Sequence, residues 1–284
     1  MYTALATGAI GVAEDSLDRG IELAQLGGFE GLEVSGETIR DAVAREGGAA
    51  VRARFDGAGI RAAGFGLPVN FRGDDYDEEA GIATLKPIAR AMREIGVTRC
   101  STWIMPADNA RNHDAMWDLH VSRLGPLNGV LHDHGISFGL EFVGPKTLRD
   151  GFRYPFVYTL KGMLSMCAAI GPGTGLLLDI FHLFTSGGTL EQLRQTPRSR
   201  IVNVHLNDAR PGRELWEQID NERELPGATG VLDLPGFLGA LKEIKYDGPV
   251  VCEPFLDRLK ALPDDETRVR EVGLAMKDAM ALVS

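Results

Sequence analysis

Leu131-His-Asp-His-Gly135-Ile-Ser-Phe-Gly-Leu-Glu141 carries three signals in one short run. A polar helical segment ends at a glycine, which suits the left-handed conformation that terminates helices because no Cβ clashes there. A short apolar strand follows and exits at a polar or glycine-rich loop, here on an acid. The same order recurs in Ala24-Gln-Leu-Gly-Gly-Phe-Glu-Gly-Leu-Glu-Val34, in Met92-Arg-Glu-Ile-Gly-Val-Thr-Arg-Cys-Ser-Thr-Trp103 and in Ile244-Lys-Tyr-Asp-Gly-Pro-Val-Val-Cys-Glu253. The strands are near-continuous apolar runs, as expected when helices cover both faces of a parallel sheet. Candidates lie near residues 3–8, 31–34, 62–67, 98–104, 138–143, 175–180, 201–206 and 249–253. Eight such units in 284 residues predict a closed (β/α)8 TIM barrel, an α/β fold, with a doubly wound open sheet as the competitor. No linker divides the chain, so residues 1–284 are expected to form one domain.

Composition narrows the function classes. The net charge of −10 argues against a nucleic-acid surface, which carries excess Lys and Arg. No signal segment and no long apolar run is visible, so the expectation is a cytoplasmic protein with no membrane partner. Cys100, Cys167 and Cys252 are few, distant and set in apolar contexts, which fits reduced buried thiols. Gly171-Pro-Gly-Thr-Gly175 lacks the Lys-Ser/Thr ending of a nucleotide loop and precedes a strand; it predicts a turn at the inert end of the barrel.

Four strand ends in the second half finish on side chains able to hold a cation. They are Glu141, Asp179 in Leu176-Leu-Leu-Asp-Ile-Phe-His182, His205 in Val202-Asn-Val-His-Leu-Asn-Asp208, and Glu253 in Val250-Val-Cys-Glu-Pro-Phe255. In a parallel barrel such exits converge on one face. Three carboxylates and one imidazole form an oxygen-rich set suited to Mn²⁺, Mg²⁺ or Co²⁺. Without a cation, the carboxylates would repel one another in a partly dry site. His182, just beyond Asp179, is placed at the mouth of the same face to contact a substrate oxygen. His113, His120, His132 and His134 fall in polar helical stretches and are expected to be solvated.

The longest irregular stretch, 207–232, follows the seventh strand and is expected to act as a lid. It is followed by Asp233-Leu-Pro-Gly, a capped helix start with proline in the first turn. Basic residues gather at presumed strand exits: Arg72, Arg210, Arg213, Arg223, Arg258 and Lys260. They suit an anionic substrate group, or else they pair with Asp208, Asp220 and Glu222 across the lid. Trp103 and Phe71, at the exits of strands four and three, are candidates for an apolar wall of the site.

The pattern of Glu141, Asp179-x-x-His182, His205 with Asp208, and Glu253-Pro-Phe resembles the xylose-isomerase-like barrel superfamily, and within it the sugar-phosphate isomerase/epimerase group. The resemblance implies one divalent metal, Mn²⁺ first among Mg²⁺, Co²⁺ and Zn²⁺, held by Glu141, Asp179, His205 and Glu253. It further implies Glu141 and Glu253 as the acid/base pair, with His182 and Arg210 on substrate oxygens. Enzymes of that group act on small sugars or sugar derivatives and often form dimers or tetramers. One departure stands out: the acid expected shortly after the first metal-binding Glu is replaced by a basic loop, Gly144-Pro-Lys146-Thr-Leu-Arg149. Lys146 is therefore a candidate substrate contact, and a free ketohexose fits less well. The resemblance implies an isomerase or epimerase. A lyase, dehydratase or carbon-glycoside-cleaving enzyme using the same apparatus is the alternative, and a non-catalytic barrel subunit is a further one. Endonuclease-IV-like barrels share part of the pattern but need further histidines where this chain has Gly66-Leu-Pro-Val-Asn-Phe71 and Thr102-Trp-Ile-Met-Pro106.

Overall fold

The computed structural model describes residues 1–13 and 16–283. Eight parallel strands close into a barrel in chain order: β1 (Tyr2–Leu5), β2 (Gly31–Glu33), β3 (Arg61–Gly66), β4 (Arg99–Ile104), β5 (Ser137–Phe142), β6 (Thr174–Asp179), β7 (Ile201–Leu206) and β8 (Pro249–Cys252), with β8 returning to β1. The expected bounds hold within one residue for all but the first. There, Gly8–Ile10 form a 3-10 turn ended by Gly11 at φ 71°, so the chain leaves the barrel earlier than the apolar run suggests.

Helices Leu17–Gly27, Glu78–Ile95 and His113–Asp133 are each followed by a left-handed glycine, at Gly28, Gly96 and Gly135. The fourth unit differs. After helix Leu234–Glu243 the left-handed residue is Lys245, at φ 60°, and Gly248 instead supplies room for the Tyr246 ring. Asp233 caps that helix by accepting the Gly236 N–H at 2.9 Å, with proline in the first turn as expected. Gly171 and Gly173 sit in the turn between helix Leu160–Ile170 and β6. Cys100, Cys167 and Cys252 are buried and unpaired. No helix among the described residues is long and apolar enough to cross a membrane.

Two expectations about the periphery are corrected. His120 is buried, not solvated: its Nδ1 lies 2.7 Å from the Met116 carbonyl and its ring stacks on Phe156 with centroids 5.1 Å apart. The polar residues around it in sequence occupy the other face of the helix. Phe71 is also fully buried, edge-on to His120, and is core instead of cavity wall.

Strand register brings the candidate residues together. Asp179 pairs with His205 across β6 and β7, and Trp103 pairs with Glu141 across β4 and β5. One residue past β8, the Glu253 N–H continues the ladder to the Leu206 carbonyl at 3.2 Å.

The 207–232 stretch is not structureless. Asp208–Ala209 and Arg223–Glu224 pair as a short antiparallel ribbon, and Leu215–Glu217 form a 3-10 turn at its far end. Asp208 does not pair with an arginine. Fully buried, its carboxylate accepts the backbone N–H groups of Ala209, Thr229, Gly230 and Leu232 at 2.8–3.0 Å, tying down both ends of the excursion.

Candidate metal centre and cavity

Glu141, Asp179, His205 and Glu253 each offer one ligand atom, and these atoms all lie within 4.8 Å of one another. His205 Nδ1 stands 3.3 Å from Glu253 Oε2, 3.5 Å from Glu141 Oε1 and 4.0 Å from Asp179 Oδ2. Glu141 Oε1 and His205 Nδ1 are buried and have no aligned hydrogen-bond partner. Orphaned polar atoms of this kind are costly in a dry interior. Together with the oxygen-rich donor set, they fit a divalent cation.

Asp179 is held from several sides. Its Oδ1 accepts the Phe181 N–H at 2.6 Å, capping helix Ile180–Thr185, and Asn207 Nδ2 donates to both carboxylate oxygens at 3.1 and 3.2 Å. Such outer contacts orient a ligand carboxylate before any ion arrives.

The protein's own charges split the two glutamates. Burial, and then the charge of Glu253, raises the Glu141 pKa. Burial pushes Glu253 the same way, but the charges of His205 and Arg223 beside it outweigh that and hold it below the usual carboxylate range. Asp179 is raised by burial, against the opposing charge of Arg223. Burial favours neutral His205, yet Glu253 and Glu141 outweigh it and raise its pKa. Two carboxyls whose environments pull them apart are the usual setting for an acid and a base.

His182 is buried, and burial together with the charge of Arg223 keeps it neutral. Its Nδ1 lies 3.2 Å from the Gly144 N–H, and its Nε2 lies 3.0 Å from Arg223 Nη2 and 4.0 Å from Glu141 Oε1. Both hydrogen-bonding neighbours are donors, and a neutral imidazole has one acceptor nitrogen, so only one of the two bonds forms at a time. Residue 144 must be glycine for this approach: a Cβ there would collide with the His182 carbonyl and come within 2.6 Å of Thr185 Oγ1.

Above this floor lies a cavity of about 960 Å³, lined by Glu141, His182 and Glu253 below and by Trp103, Trp216 and Phe255 around its walls. Trp103 is 43% exposed and backed by the Arg72 guanidinium, 3.9 Å from its ring centre. Lys146 lines the mouth, with its Nζ bonded to Asp150. Arg210 is not among the lining residues; its nitrogens lie 3.9 Å from Glu222 and Glu224 on the ribbon. The basic cluster disperses in the same way, with Arg213 on Glu222, Arg258 on Glu271 and Lys260 on Asp257. Of the six basic residues grouped by sequence, only Arg223 lines the cavity.

In the sequence reading Glu33 had no site role, and Arg223 stood only in a six-residue basic group, not at the metal centre. Arg223 is 1% exposed and reaches Asp179, Glu253, His182 and Asp220 at once. Nothing in its local pattern separates it from the other lid arginines. Glu33 accepts from Asn203 Nδ2 at 2.6 Å, and Asn203 lies on the same face of β7 as His205. Its signal was legible, since Gly31-Leu-Glu33 closes β2 as Gly139-Leu-Glu141 nears the end of β5.

The fold superposes on that of a xylose isomerase domain protein from Alicyclobacillus acidocaldarius subsp. acidocaldarius with a TM-score of 0.85 and 29% identity, covering 100% of this chain and 99% of that one. In sequence the chain is 30% identical over 145 residues to the inosose isomerase of Bacillus velezensis, covering 51% of this chain and 49% of that protein. The chain thus spans about half the length of the curated relatives it matches. A stretch of 93 residues is 32% identical to the 3-dehydroshikimate dehydratase of Pseudomonas putida, covering 32% of this chain and 14% of that enzyme. Residues 21–278, which hold seven of the eight barrel strands and the four convergent strand ends, match the family model of the xylose isomerase-like TIM barrel, and the chain belongs to that family.

Proposed function

We propose that the protein is a divalent-metal-dependent isomerase or epimerase of a sugar or cyclic polyol ketone, moving a proton on the carbon next to the carbonyl. The observation that carries this reading is the pair Glu141 and Glu253, set 3.5 and 3.3 Å from His205 Nδ1 at the floor of the cavity. The kinship with inosose isomerase supports a ring ketone as substrate class.

Glu141, Asp179, His205 and Glu253 would hold the ion, with Mn²⁺ the first candidate. When bound, it supplies Lewis-acid stabilisation of the negative charge that develops on adjacent substrate oxygens. Glu253, the carboxyl kept ionised by its neighbours, takes the proton from carbon. Glu141, the carboxyl that retains its proton more readily, delivers one to the neighbouring carbon or to the opposite face. His182 hydrogen-bonds a substrate oxygen, Trp103 stacks on the ring, and Lys146 contacts substrate at the mouth. The aromatic walls of Trp103, Trp216 and Phe255 limit access of bulk water to the carbanion.

The test is solvent-deuterium exchange into inososes and keto sugars, followed by NMR. Glu141→Gln and Glu253→Gln should each slow exchange by roughly 10²–10⁴-fold with the fold intact. Exchange at the wild-type rate in both variants would sink the two-carboxylate mechanism. Chelator treatment should abolish exchange and Mn²⁺ should restore it.

A dehydratase is the second reading, favoured by the 32% identity to 3-dehydroshikimate dehydratase. After the same proton abstraction, a β-hydroxyl would leave with the proton of the acid carboxyl as water. Appearance of a conjugated enone in the product spectrum separates the two reactions.

A further inference from the structure

Resting on the reading of the four strand ends as a metal centre, we propose that Arg223 is a latch: a positioning residue that ties the 207–232 ribbon to two ligand carboxylates, so that ribbon closure and cation binding are coupled. Arg223 belongs to the ribbon, paired with Ala209 across it, yet its guanidinium reaches the barrel floor. Nη1 donates to Asp179 Oδ2 at 2.8 Å and to Glu253 Oε2 at 2.9 Å, the oxygens those residues turn toward His205 Nδ1. Nη2 donates to Asp220 Oδ1 at 2.8 Å on the ribbon itself and lies 3.0 Å from His182 Nε2. One planar fork thus spans floor and ribbon, a geometry a point-charge ammonium cannot reproduce.

The surroundings show that the contact is built in. The guanidinium lies between the rings of Phe181 and Phe255, 4.8 and 4.9 Å from their centres, and its Nε is buried without a partner. An orphaned donor in a dry aromatic slot is tolerated only where the other donors are strongly engaged. Asp208 fastens the ribbon at its base and Thr147 Oγ1 donates to the Gln218 carbonyl at 2.7 Å, while Arg223 is the ribbon side chain that reaches the ligand carboxylates themselves.

The experiment compares Arg223→Met and Arg223→Lys with wild type in the full chain. Ribbon amides over 208–232 are followed by hydrogen exchange, and Mn²⁺ alone is titrated by calorimetry. In R223M, ribbon exchange should speed at least ~10-fold while β4–β7 stay protected, and Mn²⁺ affinity should fall roughly 10–100-fold, the range typical for loss of an outer contact to a metal ligand. R223K restores charge without the fork, so it should recover part of the Mn²⁺ affinity and none of the ribbon protection. Loss of protection in the barrel strands along with the ribbon would mean a merely structural arginine and overturn the latch, as would wild-type ribbon protection or wild-type Mn²⁺ affinity in R223M. Should R223M not fold, wild-type ribbon protection in R223K overturns the latch by itself. Neither readout uses substrate. A wild-type protein that binds Mn²⁺ but exchanges no substrate proton refutes the proposed reaction and leaves the latch standing. One that binds no Mn²⁺ refutes the metal reading.

Discussion

The floor of the barrel and the ribbon above it are positioned by different physics. Glu141, Asp179 and His205 sit on strands whose backbone ladders fix which face each side chain takes. The ribbon has only two paired residues on each side; buried Ala209, Leu225 and Leu232 and the Asp208 carboxylate anchor its base, while Arg223 and a Thr147 hydroxyl donating to the Gln218 carbonyl at 2.7 Å tie it across the site. A site built on strands is set by register. One built on a loop depends on a few long-range charges, and a single substitution can release it.

That contrast can be broken at several strengths. The largest effect should come from the floor, where Glu253→Gln removes the base itself. Substrate exchange should fall by roughly 10²–10⁴-fold with little change in melting temperature. On the ribbon, Asp208→Ala strands four backbone donors, at about 1 kcal/mol or somewhat more each, and should cost roughly 4 kcal/mol in chemical denaturation. A loss below about 1 kcal/mol would mean that the ribbon base is held by something else.

His120 tests the scaffold beneath Trp103 through pH. Burial, with Arg72 and Arg123 nearby, lowers its pKa from 6.5 to about 4, so between those values the unfolded chain binds the proton and the folded one does not. Stability is therefore full above pH 6.5 and declines as the pH falls toward 4, by about 3 kcal/mol at roughly 1.4 kcal/mol per unit. In His120→Gln that slope should flatten, and an unchanged slope assigns it elsewhere. Trp103→Ala should raise KM about 10-fold, near 1.4 kcal/mol, while kcat holds. Arg210→Ala should be the quietest, within about 0.5 kcal/mol in stability and without effect on KM, because its nitrogens stand 3.9 Å from partly solvated ribbon acids. A large KM effect there would restore the substrate role that the resemblance implied.

The legible part of the molecule was the part with local causes. Glycine-terminated helices, doubly buried strands and an acid or a histidine at four of the exits are neighbours in sequence, so the barrel, its strand bounds and the four floor residues could be read directly. Glu33 was equally legible and was passed over. Arg223 was not: it stands among similar lid arginines, and what sets it apart is a guanidinium reaching Asp179 and Glu253, which are 44 and 30 residues away. Phe71 and His120 mark the same limit, since an exit residue or a helix residue becomes core only when another element packs on it. By itself, the sequence determined the barrel and the convergence of Glu141, Asp179, His205 and Glu253, because period and register are local properties of the chain. Which arginine entered the site, and which ones remained on the ribbon, was decided by the tertiary structure alone, because burying a charge is tolerated only where closure of the fold brings its partners to it.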